Sequence, residues 1–255
     1  MHKQVTCDLC RSEEAIYYRR ESGERFCLKC LEKSLIKRVS KCINKYNMLT
    51  PQDSILYFTS SLNLPVSIQL LKILLLIEKN FPTRITIALP YELTSIVEKY
   101  KSIKDFEVIE LTKTNNSDYD YLELFLKELK TAFTLARPED KIILPLTLDD
   151  IVKLYITIIL KPRLELVKYL RPKFTINGST YITPFRLIPS REIHMLYYMR
   201  ASQEYIEIMK RIIPIRKGPL CDIVDQIINS IVRLHFEMGY LIVDRIDELY
   251  NVINL

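Results

Sequence analysis

From residue 54 onward, the apolar positions of the chain alternate between the period of a strand and the period of a half-buried helix. Short runs rich in branched apolar residues predict strands over residues 55–59, 84–89, 106–111 and 142–146. Helical spacing separates these runs, over residues 66–80, 91–100, 119–135 and 148–160. Strands that alternate with helices in this way predict an α/β fold, a three-layer arrangement with helices packed on a mostly parallel sheet.

The pattern changes after Pro162. Residues 174–181 contain Asn177-Gly178, a dipeptide typical of hairpin turns. A helix is predicted from Pro189 to Arg200, and two more helical stretches cover residues 221–236 and 240–252. We therefore predict three regions: residues 1–46 at the amino terminus, an α/β domain over 51–215, and a helical extension over 216–255.

The composition is that of a folded chain with a mild basic excess. The chain has 255 residues, of which 48% are hydrophobic, enough for a sizeable core. Its net charge of +6 permits a nucleic-acid partner without requiring one. The longest apolar run, 68–77, is interrupted by Gln69 and Lys72, and no signal peptide is visible. We expect a cytoplasmic protein with no membrane partner. Tryptophan is absent and glycine is scarce, with only four residues, and this composition hints at a thermophilic source.

Four of the six cysteines form two CxxC pairs, Cys7 with Cys10 and Cys27 with Cys30. Two such pairs at this separation can place four thiolates around one zinc ion, and four protein ligands close the site, so the zinc is structural. Residues 22–24, Ser-Gly-Glu, predict a hairpin turn that folds the second pair back onto the first. The alternatives are four unrelated buried cysteines or a redox pair, although redox CxxC motifs sit beside a βαβ unit.

A basic helix is predicted directly after the second pair. Its apolar residues recur at positions 31, 35, 39 and 43, and its basic residues lie largely elsewhere: Lys33, Lys37, Arg38, Lys41 and Lys45. Such a helix can dock through its apolar stripe and offer its charges to the phosphates of RNA. The alternative is an ordinary solvated basic face.

The order of these features resembles the start of the tRNA 2-thiolation PP-loop ATPases, a family of N-type ATP pyrophosphatases. The resemblance rests on the two CxxC pairs, the basic helix and the segment NMLTPQDSILYFTSS at 47–61. It extends to two later stretches. Leu148-Asp149-Asp150 is similar to the family's H-N-L-D-D segment, and residues 181–200 are similar to a second family segment. That last stretch keeps Pro184, Arg186, Pro189 and Glu192. The resemblance covers roughly residues 5–215 and implies the PP-loop fold and contact with tRNA.

The nucleotide loop of that family is not preserved. The family's S-G-G-K-D-S is represented here by Ser60, Ser61, Leu62, Asn63, Leu64 and Pro65, which keeps only the first serine. Glycines let backbone amides approach phosphates, and the lysine adds charge, so we expect no ATP at this loop. The family's central cysteine pair and its carboxyl-terminal zinc ribbon are also missing. We therefore expect one structural zinc as cofactor and no iron–sulfur cluster.

Other candidate chemistry is sparse, and the sequence predicts no catalytic residue. His194 and His235 have no repeated carboxylate or cysteine spacing beside them and are interpreted as structural. Asp149 and Asp150 are interpreted as helix-capping residues, with magnesium binding as the alternative. Cys42 and Cys221 are interpreted as small buried hydrophobic residues.

The sequence thus favours a non-catalytic pseudoenzyme that binds tRNA, as the partner of an active PP-loop paralogue or as a dimer with itself. The alternatives are a stand-alone RNA- or ribosome-binding factor, and an enzyme that uses the old cleft for a different nucleotide reaction. Beyond the basic helix, the predicted RNA contacts are Arg171, Lys173, Arg186, Arg191, Arg200, Arg216 and Lys217.

Overall fold

A computed structural model of the chain describes residues 5–111, 119–176, 178–212, 218–234 and 237–253. At the amino terminus, β1 (Tyr17–Arg19) pairs antiparallel with β2 (Glu24–Phe26). The central sheet contains β3 (Ser54–Phe58), β4 (Arg84–Pro90), β5 (Glu107–Leu111), β6 (Asp140–Ile143), β7 (Lys173–Ile176) and β8 (Ser179–Ile182). Its order is β5-β4-β3-β6-β8-β7, and every pairing is parallel except that of β7 with β8.

Helices cover both faces of this sheet. They are α1 (Leu28–Lys45), α2 (Leu64–Glu78), α3 (Thr94–Glu98), α4 (Tyr121–Leu135), α5 (Leu148–Leu160), α6 (Ser190–Arg200), α7 (Gln203–Ile212), α8 (Pro219–Leu234) and α9 (Met238–Ile253). The predicted three-layer α/β fold with a mostly parallel sheet is confirmed. Hydrophobic periodicity predicts this fold correctly because the layer in which an element packs determines which of its positions are apolar.

Individual elements depart from the sequence prediction in a few places. The predicted helix over 91–100 is wrong, because the structure breaks it into a 3-10 turn, the short α3 and a second 3-10 turn. The strand predicted over 142–146 is β6, which ends at Ile143, ahead of Pro145, a residue with no amide to donate to a neighbouring strand. The hairpin predicted from Asn177-Gly178 is formed by β7 and β8, and Gly178 has a φ of 84°. Asn177 itself lies outside the described residues.

Two apolar cores lie on opposite faces of the sheet. Strand β3 contributes Ile55 and Tyr57 to one core and Leu56 and Phe58 to the other, and all four side chains are buried. A strand that is buried on both faces has a continuous run of apolar residues in its sequence, as this strand does. The first core includes α1, α2, α6 and α7, and the second includes α4, α5, α8 and α9.

The three predicted regions contribute to these shared cores. Cys7 and Phe26 from the amino-terminal region pack in the first core, while Cys221 and Val243 from the helical extension pack in the second. The division at 46–51 and 215–216 stays a prediction. The segment Ser61–Glu78, which contains α2, is long and apolar enough to cross a membrane, but 61% of it is buried inside the protein, as in a core helix.

Candidate metal centre and basic surface

The four paired cysteines come together in space. The Sγ atoms of Cys7, Cys10, Cys27 and Cys30 all lie within 4.8 Å of one another. The Sγ atoms of Cys10 and Cys27 are 3.8 Å apart. Four thiolates arranged tetrahedrally at about 2.3 Å from one ion are separated by about 3.8 Å, so this spacing fits a single ion. The predicted metal site is therefore present as a set of four ligands that can hold a metal ion.

Local backbone structure builds this site from both pairs. Arg11 has a positive φ of 54°, and its amide donates to the carbonyl of Cys7 at 2.9 Å, which turns the chain after the first pair. Gly23, with a φ of 70°, forms the predicted turn between β1 and β2. Cys27 then caps α1, since its Sγ accepts from the amide of Cys30 at 3.5 Å. The hairpin thus carries the second pair back to the first.

Hydrogen bonds around Cys10 favour its thiolate. The side chain and amide of Ser12, followed by the amide of Glu13, lower the pKa of Cys10 to about 6. Burial instead raises the pKa of Cys27 to about 12. A metal ligand must be deprotonated, and the fold begins to meet this requirement at Cys10.

A buried glutamate joins this amino-terminal region to the rest of the molecule. Glu192 of α6 is fully buried and accepts from Arg19 Nη2 at 2.7 Å and from Arg19 Nε at 3.1 Å. Arg38 of α1 donates to the same carboxylate at 2.8 Å and also to the hydroxyl of Tyr240 on α9 at 3.0 Å. One carboxylate therefore holds the hairpin, the basic helix and α6 together, and Arg38 links them to α9.

Four lysines of α1 form a continuous exposed row. Lys33, Lys37, Lys41 and Lys45 follow one another at four-residue spacing, and all four are exposed. Such spacing places side chains along one face of a helix. Lys173, on the edge strand β7, is also exposed and donates to the carbonyl of Asn47, just beyond the end of α1, at 3.2 Å. We call these five residues the lysine ridge.

Several of the predicted RNA contacts form ion pairs within the fold. Arg186 as an RNA contact is wrong, because its side chain is 0% exposed and donates to Asp247 at 2.8 Å. Arg38, Arg191 and Arg200 are engaged by the carboxylates of Glu192, Glu21 and Glu32 respectively. Whether those three also touch RNA stays a prediction, as it does for the partly buried Arg171. Arg216 and Lys217 lie outside the described residues.

The loop that corresponds to the family's nucleotide loop holds a carboxylate of the chain itself. It follows β3, and Ser61–Asn63 form a 3-10 turn that leads into α2. Glu128 of α4 accepts from Ser60 Oγ at 2.6 Å, from the Ser61 amide at 2.7 Å and from Ser61 Oγ. Burial raises the pKa of Glu128, partly offset by the hydrogen bonds from these two serines. These three donors of the loop are therefore already used by Glu128.

Sequence reasoning missed Glu128, although a signal was present. Glu128 falls among the apolar positions of α4, between Phe125 and Leu129, and a charged residue on a buried face calls for a partner. The partner came from a loop distant in sequence, which periodicity does not reveal.

We expect Glu128 to matter for stability and to keep anions from the loop. Glu128→Leu should lower the free energy of unfolding by about 1–3 kcal/mol for each donor left without an acceptor, whereas the isosteric Glu128→Gln should cost less. Urea denaturation measures both variants.

Calorimetry of the wild type with Mg-ATP should show no low-micromolar binding at this loop. Tight binding that Ser61→Pro abolishes would contradict the assignment of Glu128 as its occupant.

The remaining candidates are two aspartates, two cysteines and two histidines. Asp150 forms a capping box with Thr147 at the start of α5, and Asp149 accepts from the amide and hydroxyl of Ser190, each at 2.6 Å, at the start of α6. The capping interpretation holds for Asp150 at its own helix, whereas Asp149 binds the first residue of the neighbouring helix α6. Cys42 and Cys221 are buried, as predicted. His194 is partly buried, and burial lowers its pKa. His235 lies outside the described residues.

Comparison with solved structures identifies a fold of known type. The chain matches the U34-tRNA thiolase NcsA from Methanococcus maripaludis, a structure described with its 4Fe-4S cluster, at a TM-score of 0.65. The match covers 97% of this chain and 87% of the other, at 14% sequence identity. No family model matches the chain. No curated protein matches it in sequence. The predicted fold of the tRNA-thiolation PP-loop proteins is therefore confirmed at the level of structure.

One expectation is corrected by this comparison. The lost nucleotide loop predicted a protein without enzymatic activity, and this prediction is wrong, because the structure that matches nearly the whole chain is that of an enzyme. The loss of the S-G-G-K-D-S residues describes one loop of the fold. It does not by itself decide what the other parts of the fold do.

Proposed function

We propose that this protein binds RNA, with tRNA as the first class to test, and that one zinc ion organises the part of the molecule that meets the RNA. The observation that carries the proposal is the lysine ridge, whose helix starts within the metal site: Cys30, one of the four ligands, is the third residue of α1. A metal at this site fixes the start of the helix that presents the lysines. The proposed metal is thus a structural support for the proposed RNA surface.

The spacing of the sulfur atoms supports zinc as the metal. All four lie within 4.8 Å of one another, which suits one tetrahedral ion. In a four-iron cluster each thiolate binds a different iron, so the sulfurs surround a larger body and lie further apart. A closed site of four thiolates is a common structural zinc site.

The geometry of the ridge supports binding to the phosphate backbone. From Lys33 to Lys45 the helix rises by about 18 Å, a length that spans several phosphates of an RNA strand. Amines that contact phosphates release condensed counterions, and they carry no sequence information. The ridge is therefore suited to hold RNA of any sequence along its length. The tRNA-thiolase fold is the reason to test tRNA first.

We expect the triple variant Lys33→Glu, Lys37→Glu, Lys41→Glu to bind tRNA at least about tenfold more weakly at low salt, because three phosphate contacts are replaced by repulsion. The slope of log affinity against log salt should become shallower by about two to three units. Arg38 is left unchanged because it belongs to the Glu192 network. Filter binding or fluorescence anisotropy over a salt series measures both quantities.

A matched control separates the ridge from net charge. Lys79, Lys130 and Lys210 are exposed lysines on other parts of the molecule, and their reversal to Glu changes the charge by the same amount. This control should retain most of the affinity. Equal losses in the two triple variants would refute the ridge as the binding surface. No RNA affinity of the wild type at low salt would refute the proposed function itself.

We also propose that the protein binds RNA together with a partner. A second PP-loop chain, a second copy of this chain, or the ribosome could each provide the setting in which the RNA is bound. Isolation of the protein from native cells, with both the protein and the RNA components identified, distinguishes these settings.

A further inference from the structure

The four clustered cysteines differ in how accessible they are from solvent. Cys10 is exposed, whereas the other three are buried. The chain around Cys10 also lies at the surface, since residues 8–12 are all exposed and the side chain of Leu9 is 54% exposed. A dissolved reagent can therefore reach one sulfur of the metal site before it reaches the others.

A buried thiol lies next to this exposed one. The Sγ atom of Cys27 is 3.8 Å from that of Cys10, although the two residues are 17 positions apart in the chain. The sulfur atoms of a disulfide are about 2.05 Å apart, so a combined movement of about 2 Å by the two side chains would join them. Cysteines that respond to oxidation are typically accessible and have a second cysteine beside them. The site contains both parts of that arrangement.

A disulfide between these two cysteines would remove two of the four metal ligands. Only Cys7 and Cys30 would be left, and a closed structural zinc site needs four protein ligands. The bond would also draw Cys27 away from the amide of Cys30, to which it now provides the cap of α1. Metal and cap would therefore be lost together at the start of the helix that carries the lysine ridge.

We propose that Cys10 is a site of oxidation by peroxides, and that its disulfide with Cys27 releases the metal and loosens the first turn of α1. The inference rests on the proposed zinc and RNA binding, and it adds a redox control of both. The hairpin itself stays attached through Arg19 and Glu192. The effect is therefore local to the metal site and to the beginning of the lysine ridge.

The reaction balances with one peroxide as the oxidant. The Cys10 thiolate attacks a peroxide oxygen, so that an S–O bond forms, the O–O bond breaks and hydroxide leaves. The Cys27 thiolate then attacks the Cys10 sulfur, so that an S–S bond forms, the S–O bond breaks and a second hydroxide leaves. Two protons from solvent convert both hydroxides to water. The two thiolates lose two electrons in total, the peroxide gains them, and zinc keeps its charge.

A hydrogen peroxide titration of the zinc-loaded full chain tests the proposal. A chromogenic chelator follows the release of zinc, and peptide mapping after alkylation of the remaining thiols identifies the oxidised cysteines. About one peroxide should be consumed for each zinc released, and the disulfide should join Cys10 to Cys27. A dithiol reductant with added zinc should restore the site. Zinc retained in excess peroxide, or a disulfide formed within either CxxC pair, would overturn the inference.

Two histidine variants separate the roles of the two sulfurs. Both should keep zinc before treatment, because sites of three cysteines and one histidine also bind it. Cys10→His removes the exposed sulfur and should retain its zinc at peroxide concentrations that empty the wild type. Cys27→His keeps the exposed sulfur without its partner, so Cys10 should proceed to sulfinic acid. Cys42→Ser, at a buried cysteine outside the cluster, should behave as the wild type does. Equal zinc loss from Cys10→His and the wild type would refute Cys10 as the oxidised site.

Filter binding of tRNA to the reduced and oxidised protein tests the connection to the lysine ridge. The oxidised form should bind about twofold to fivefold more weakly at low salt, since a loosened start of α1 weakens the phosphate contacts of the nearest lysine. Equal affinities would overturn this connection. If the proposed function fails instead, the wild type binds no RNA or carries no metal. The disulfide found in peroxide-treated protein then still decides whether Cys10 and Cys27 react as proposed.

Discussion

Replacement of Cys7 or Cys30 by serine is expected to remove the metal and to loosen the amino-terminal hairpin. Both side chains are buried, and a hydroxyl is a poor substitute for a thiolate ligand. The two strands of the hairpin are three residues long each, so a bound metal adds to the anchoring that the Arg19–Glu192 pair already gives them. Structural zinc contributes about 10–16 kcal/mol of apparent binding free energy in small zinc domains, and that energy is coupled to folding.

The measurement combines metal content with local proteolysis. Protein prepared without chelator should contain one zinc per chain by elemental analysis, and the Cys7→Ser variant should contain none. Limited proteolysis should then cut between residues 11 and 26 in the variant and leave the wild type intact. Cys42→Ser is the matched control, because Cys42 is also buried on α1 but is not one of the four clustered ligands.

Two outcomes would contradict this prediction. Wild-type protein with no metal would show that the four thiols do not form a metal site. Iron with the visible absorbance of a cluster would show that the site holds a different group, and the compact sulfur geometry would then need another explanation. Acid should release the zinc, because protons compete with the metal for the thiolates.

The features predicted correctly from the sequence are those that short-range patterns specify. Each CxxC pair is a motif of four residues, so the sequence shows it directly. The turn at Gly23 indicates that the second pair folds back onto the first. The strand β3 shows its double burial as an unbroken apolar run. The aspartates at the start of α5 occupy the first turn of that helix, and Asp150 forms a capping box with Thr147 there.

The features that were missed depend on partners far apart in the chain. Arg38 looked like a surface cation because its neighbours on α1 are lysines, but its partner Glu192 lies 154 positions away. Glu128 and Ser61 are 67 positions apart, and only the folded structure joins them. Arg186 follows a strand, and its buried guanidinium pairs with Asp247 of α9, 61 positions away. Charge alone does not distinguish a solvated cation from one that pairs with a distant carboxylate.

The buried network around Glu192 gives the second large expected effect. Glu192→Gln should lower the free energy of unfolding by about 3–5 kcal/mol, the usual cost of breaking a buried ion pair by removing one partner. The glutamine has the same shape, so packing is retained, but Arg19, whose side chain is 9% exposed, loses its closest counterion. The loss should persist at high salt, because buried charges are poorly screened.

A control on the same arginine makes this prediction specific. Glu24 lies 4.0 Å from Arg19 Nη1, but its side chain is 41% exposed. Glu24→Gln should therefore change stability by no more than about 1 kcal/mol. Urea denaturation measures both variants, and similar slopes with different midpoints would attribute the difference to stability itself. The zinc should remain bound in Glu192→Gln, since the four thiolates are untouched, which separates this effect from that of the cysteine variants. If Glu192→Gln were as stable as Glu24→Gln, the carboxylate would not be what joins the hairpin and α1 to α6, and the docking would have to come from the apolar stripe of α1 alone.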